Sequence, residues 1–265
     1  MTLRTDRERD QAKHYDAFHA ARAHSPIVSQ LYAQAMGDAY PTEVAPNSSC
    51  DWPLLATLTG RLQLRPDQIL ADIGCGTGGV GLWLARALNV RLTGIDVSAT
   101  AIRLATERRK NFVADERTHF AIGSLEHTGL PDASAHGLIC IDALFNASDR
   151  IAALTEFHRI LTPGGRAVHT RTQPPGGRTA IKAQARAAGL TVEHIDTRRD
   201  EPELWHRVYQ LWIVNEDRLR VELGHDQAEG MLAEARRMLP RLATRKALAV
   251  TLRRPVRSRS PQSAQ

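Results

Sequence analysis

Asp72, Gly74, Cys75, Gly76 and Gly78 follow the apolar run Ile69-Leu70-Ala71, and Asp96 closes the next apolar run twenty residues after Gly76. Glycine adopts backbone angles closed to other residues and has no side chain. Gly74 and Gly76 therefore permit a sharp turn after a buried strand and let a ligand lie against bare peptide. Gly74, Gly76 and Gly79 also satisfy the G-x-G-x-x-G spacing of a dinucleotide loop, with Asp96 placed to accept from ribose hydroxyls. Asp72 argues against a dinucleotide, because a carboxylate at the carboxyl end of the strand repels a pyrophosphate and attracts an ammonium group.

S-adenosylmethionine carries both a ribose and an ammonium. At these residues the chain resembles the class I S-adenosylmethionine-dependent methyltransferases, whose first motif, acid-x-Gly-x-Gly-x-Gly, matches Asp72, Gly74, Gly76 and Gly78. The resemblance extends over roughly residues 66–171, since Leu161-Thr162-Pro163-Gly164-Gly165-Arg166 is similar to the family's L-x-P-G-G turn before its fifth strand. It implies a cofactor site of Tyr15, Asp72, Gly74, Cys75, Gly76, Gly78, Asp96, Val97, Ser98, Ser124, Leu125, Ile141 and Asp142. Asp96 would accept from the vicinal ribose hydroxyls, Val97 would pack on adenine, and Asp72 with Ile141 or Asp142 would meet the ammonium. Ser124 stands where relatives often place an acid facing the adenine amino group, so that contact falls to a neutral hydrogen bond.

The loop after the fourth strand reads Leu144-Phe145-Asn146, where many relatives read Leu-His-His. Methyl transfer is an in-line displacement that needs a base only when the acceptor arrives protonated. Asn146 then either orients the acceptor or serves as a polar residue opening a helix. His14, Tyr15, His169 and His206 are the other base candidates. Trp205, Tyr209 and Trp212 recur at i, i+4 and i+7, a stripe expected to pack in a core, with contact to the acceptor alongside Phe145 and Asn146 as the alternative. The resemblance also shows absences: no Asn-Pro-Pro-Tyr follows strand four and no Pro-Cys nucleophile is present, which favours a metabolite acceptor.

Apolar runs alternate with helical periodicity after residue 68, predicting an α/β, Rossmann-like sheet of seven mostly parallel strands. Strands are predicted at 68–73, 90–95, 118–122, 137–141, 166–170, 191–195 and 247–252, with Ser98 and Ser148 capping helices. The expected divisions are an N-terminal helical segment (1–64), the cofactor-binding core (65–199), a helical lid of two amphipathic segments (200–245), the last core strand (246–254) and a disordered basic tail (255–265).

The formal charge of +6 includes four arginines in the last fifteen residues, Arg253, Arg254, Arg257 and Arg259, so the body carries +2 and nucleic acid is not the expected partner. Three cysteines give neither a disulfide framework nor a C-x-x-C metal site, and no metal is expected. No apolar run reaches membrane length, which predicts a cytoplasmic protein, monomer or homodimer, with no membrane partner. Arginine outnumbers lysine 31 to 4, which suggests a GC-rich coding sequence and, with a lidded architecture, specialised metabolism. The expected activity is methylation of a small organic acceptor. The alternatives are a cofactor-binding protein that transfers no methyl, a cyclase or sensor, and an NAD-dependent oxidoreductase.

Overall fold

The computed structural model describes residues 5–174 and 176–256. The disorder expected of the tail falls almost wholly outside the described residues. The chain opens with helices α1 (Asp6–Ala23) and α2 (Ile27–Met36), followed after a looped stretch by α3 (Trp52–Leu62). The α/β alternation then runs β1 (Ile69–Ile73), α4 (Gly79–Leu88), β2 (Arg91–Asp96), α5 (Ala99–Arg108), β3 (Thr118–Ile122), β4 (Ala135–Cys140), α6 (Arg150–Ile160), β5 (Leu161–Thr172), α7 (Gly177–Ala187) and β6 (Thr191–Arg198). Three helices, α8 (Glu201–Val214), α9 (Glu216–Leu223) and α10 (His225–Met238), precede the last strand, β7 (Ala247–Arg253).

The strands lie in the order β3-β2-β1-β4-β5-β7-β6, parallel except for β7, which pairs antiparallel with both neighbours. Helices cover both faces, which is why the central strands read as continuous apolar runs rather than alternating ones. Along β1 and β4 successive residues serve opposite cores. Leu70 and Ile139 pack with Leu54, Leu55 and Leu58 of α3, whereas Ala71, Leu138 and Cys140 pack with Leu154 and Phe157 of α6. A third core is built mainly from helices and joins α2 to α8, α9 and α10 through Leu31, Tyr32, Val208, Trp212, Leu219 and Leu232.

Some boundaries differ from expectation for local reasons. Asp149, not Ser148, caps α6, accepting from the N–H groups of Ile151 and Ala152 at 2.8 and 3.2 Å. Ser148 donates instead to Glu126, from its hydroxyl at 2.8 Å and its N–H at 2.6 Å. β5 begins at Leu161 because the L-x-P-G-G segment itself pairs with β4 across a bulge. The insert holds three helices rather than two, since Asn215 breaks the chain as well as Gly224, which sits at φ +83°. No helix among the described residues is long and apolar enough to cross a membrane.

Candidate active site

Sheet order reverses between β1 and β4, and the crevice outside the carboxyl ends of these strands is where such sheets bind ligands. The glycine loop after β1 is pinned there by the N–H groups of Gly74 and Cys75, which both donate to Ile95 O, at 2.8 and 3.0 Å. Gly74, Gly76 and Gly78 all have positive φ. Their missing side chains serve different ends. A Cβ on Gly74 would stand 2.5 Å from that of Ala143, and one on Gly78 would press on Ala105 and Phe120. A Cβ on Gly76 would point toward the His19 ring, 3.5 Å away.

Asp96 ends β2 buried, with Oδ2 accepting from Gly76 N at 2.8 Å and Oδ1 from Ser98 N at 3.0 Å. Burial raises its pKa and the backbone N–H groups hold it down, so the carboxylate is fixed in one orientation. A carboxylate has about four acceptor positions, and two here remain for vicinal hydroxyls. Asp72 ends β1, and its carboxyl is pushed up to about 7, by burial first, then by the Asp96 charge, against a backbone hydrogen bond from Gly81. A cation beside Asp72 would offset that burial. The turn, the fixed carboxylate of Asp96 and the strained one of Asp72 thus fit a ligand with a ribose and an ammonium. Across the crevice Asp142 sits at φ +49°. Its carboxylate accepts from Thr170 Oγ1 at 2.6 Å and Ser49 N at 2.7 Å.

Helix α1 closes the crevice. Its only buried residues are polar, Glu8 and His19, and it packs on α5, α9 and α10 while its side chains reach the loops of the site. Glu8 forms a capping box with Thr5 and accepts from Ser124 Oγ, with His127 Nδ1 3.1 Å away. An acid therefore does stand behind Ser124, delivered by α1 from 116 residues away. Asp16 accepts from Ser98 Oγ at 2.6 Å and Thr100 N at 2.9 Å, tying α1 to the loop after β2. Farther along, burial depresses His19 to about 4 and Arg22 to about 10, and Arg22 stacks on Phe18.

One cavity of about 1180 Å³ joins these parts to the helical insert. It is lined by the expected residues Tyr15, Asp72, Gly74, Cys75, Gly76, Asp96, Val97, Ser124, Leu125, Ile141 and Asp142, and by His14, Phe145, Asn146, Trp205, Tyr209 and Trp212. Gly78, Ser98 and His169 are off the lining. Gly78 and Ser98 cap α4 and α5. His169 is buried in β5 and pushed down to about 3 by burial, so the structure does not bring it to the acceptor as a base. His206 also lies off the lining, 3.5 Å from Gln210 on α8. The aromatic stripe packs in a core, as expected, and also borders the cavity. Trp205 and Tyr209 stack at 5.1 Å, Trp212 meets Tyr209 edge-on at 5.3 Å and Tyr32 of α2 closes the group, so the rings form core and cavity wall together. Tyr209 donates to Glu234 at 2.9 Å. Gln11, His19, Arg22, Glu234, Arg150 and Arg171 line the cavity without having been singled out from sequence. Position alone carries no signal for them, although an uncompensated charge at a helix start, as at Arg150, was visible.

A Rossmann-like sheet with an acid-flanked glycine turn and a ribose-directed aspartate defines a nucleoside-cofactor-binding enzyme fold. Residues 70–165 match the methyltransferase domain family, and over that segment the chain is similar to the class I S-adenosylmethionine-dependent methyltransferases. It is 31% identical over 155 residues to 27-O-demethylrifamycin SV methyltransferase of Amycolatopsis mediterranei, covering 58% of this chain and 55% of that one. An O-methyltransferase of Pyrenophora dematioidea is 34% identical over 106 residues, 40% of each chain, so the chain spans about half the length of the curated relatives it matches. Among solved structures the [4+2]-cyclase SpnF superposes with a TM-score of 0.74 over 97% of this chain and 100% of its own, at 19% identity.

Proposed function

We propose that the protein transfers a methyl group from S-adenosylmethionine to a small organic acceptor held between the cofactor, α1 and the helical insert, within specialised metabolism in the cytoplasm. One observation carries the reading: the hydrogen-bonded Asp96 carboxylate and the Asp72 strand end open into one cavity of about 1180 Å³. That exceeds the ~300–1,000 Å³ of a typical single-ligand pocket, which leaves space for a second molecule. The cofactor supplies the electrophilic methyl carbon. Asp96 and Asp72 orient it through ribose and ammonium, and α1 shields it from water.

The residues within reach of an acceptor favour alignment over proton removal. Tyr15 lies within hydrogen-bonding distance of the Asn146 side chain, and burial raises the pKa of its hydroxyl. Gln11 Nε2 donates to Asn146 O at 2.9 Å, holding the short turn that stands where relatives place histidine. An acceptor that ionises easily or carries a lone pair suits such a site. The names of the relatives above support oxygen as the methylated atom, and a phenolic oxygen meets the condition.

A second reading, a cyclase that holds the cofactor without spending it, is kept by this same turn, which offers an amide instead of an imidazole. Incubation with labelled S-adenosylmethionine and a panel of phenols and polyketide alcohols decides. Labelled product and stoichiometric S-adenosylhomocysteine support the transferase. Tight cofactor binding with no turnover on any acceptor supports the second reading.

A further inference from the structure

Six arginines line the cavity: Arg22, Arg150, Arg171, Arg198, Arg237 and Arg245. Most are compensated or solvated. Arg245 pairs with Glu201 at 2.8 Å, Arg198 with Asp51 at 3.4 Å, Arg22 feels the Glu234 charge and Arg237 is exposed. Arg150 and Arg171 differ. Both are half-buried at the carboxyl edge of the sheet, and among the described residues neither is in an ion pair. Arg171 donates to neutral oxygens only, Gln184 Oε1 at 3.0 Å and Thr172 O at 3.4 Å.

The carboxylates around the start of α6 are otherwise engaged: Asp142 accepts from Thr170 and Ser49, and Glu156 from Thr128 and Arg159. Glu126 accepts from Ser148, and Asp149 accepts from the first N–H groups of α6. Arg150 occupies the first position of α6, where the helix dipole disfavours a cation, and no acid stands in that first turn. The two guanidinium groups also repel each other, and burial together with this repulsion pushes Arg171 down to about 10. Two like charges held half-buried with no protein anion between them are a local cost that the fold does not offset, and such costs concentrate where a ligand supplies the missing group.

We propose that Arg150 and Arg171 form an oxyanion-binding fork for the acceptor, which therefore carries a carboxylate or a phosphate ester at the end away from the methylated atom. Both anions match the planar donor fork of arginine, and binding one between two guanidinium groups replaces repulsion with two charge-assisted contacts. The fork stands at the start of α6 and the end of β5, with Asn146 on the turn four residues before Arg150, so it holds one arm of the acceptor while Asn146 and Tyr15 meet another. The inference deepens the transferase reading and rests on it.

The test is calorimetry on the full chain saturated with S-adenosylhomocysteine, titrated with inorganic diphosphate and, separately, with benzoate. The variants are Arg150→Gln, Arg171→Gln and Arg171→Lys, with Arg103→Gln as a surface-charge control. Wild type is expected to bind at least one probe, weakened about tenfold or more in each glutamine variant, partly restored in Arg171→Lys and unchanged in Arg103→Gln. Tighter diphosphate binding assigns a phosphate ester, and tighter benzoate binding assigns a carboxylate. The affinity of the product cofactor in each variant reports correct folding. Neither probe binding at ~20 mM, or equal binding in wild type and both glutamine variants, overturns the fork. Failure of wild type to bind S-adenosylhomocysteine overturns the transferase reading itself.

Discussion

Replacing Asp96 by alanine is the sharpest test of the cofactor site, and its magnitude follows from the hydrogen bonds. Both carboxylate oxygens are already used once, by Gly76 N at 2.8 Å and Ser98 N at 3.0 Å, so the group cannot turn away from a ligand. Two hydroxyl donors to a fixed carboxylate contribute about 1.5–3 kcal/mol each, about 3–6 kcal/mol together. Asp96→Ala is therefore expected to weaken S-adenosylhomocysteine binding roughly 10²–10⁴-fold. Asp96→Asn, which keeps an acceptor oxygen without the charge, is expected between the two.

The same substitution strands two buried N–H groups, at about 1–3 kcal/mol each, and removes a carboxylate whose burial is itself unfavourable. These effects oppose each other, so the melting temperature is expected to fall by a few degrees, at about 2–4 °C per kcal/mol for a chain of this size. Calorimetric titration gives the affinity and differential scanning the stability. A cooperative, nearly wild-type transition with binding within about tenfold of wild type would refute the assignment.

Gly74→Ala puts a Cβ 2.5 Å from that of Ala143 at φ +75°, so both melting temperature and cofactor affinity are expected to fall, and an unchanged melting curve would sink the packing argument. Asp16→Ala removes the acceptor of Ser98 Oγ and Thr100 N, and loosening α1 is expected to speed cofactor dissociation in stopped-flow traces while leaving association alone. Asp72 predicts a pH dependence. Its folded carboxyl is pushed up to about 7 from 3.8, so the folded state holds the proton longer and wild-type stability is expected to fall as pH rises through that window. Asp72→Asn should flatten the fall, gain at most about 4 kcal/mol in urea unfolding at pH 8, and bind S-adenosylmethionine more weakly; identical pH profiles would refute it.

The parts of the site that sequence made legible are those set by backbone. A turn after a buried strand needs particular residues at particular steps, and Asp72, Gly74, Gly76, Asp96 and the segment from Leu161 to Gly165 all stand in such places. Strand positions followed from the same alternation, with β5 extended to Leu161 because a turn motif can also pair in a ladder. Helix α1 was legible as a helix, yet its purpose was not. Its buried face is Glu8 and His19, which no apolar periodicity reveals, and its partners Ser98 and Ser124 lie 82 and 116 residues from the acids that meet them. The missing acid at Ser124 looked like a departure from the family pattern. The structure places Glu8 of α1 behind it, accepting from the Ser124 hydroxyl.

Charge presented the converse difficulty. A sequence with 31 arginines gives no reason to prefer one over another, and pairing is a property of the fold. Once Arg245 is seen against Glu201 and Arg198 against Asp51, the cavity arginines left without an ion pair among the described residues are Arg22, Arg150, Arg171 and Arg237, of which Arg237 is exposed. Arg150 and Arg171 are then conspicuous for a physical reason: two half-buried cations that repel each other would be relieved by a ligand that supplies the negative charge. Asp72 is the mirror case, a buried carboxyl whose missing counter-charge the ammonium of the proposed cofactor would supply. The cavity thus holds an uncompensated acid at the end proposed for the cofactor and an uncompensated pair of cations beside the place proposed for the acceptor, and each imbalance describes the molecule that would relieve it.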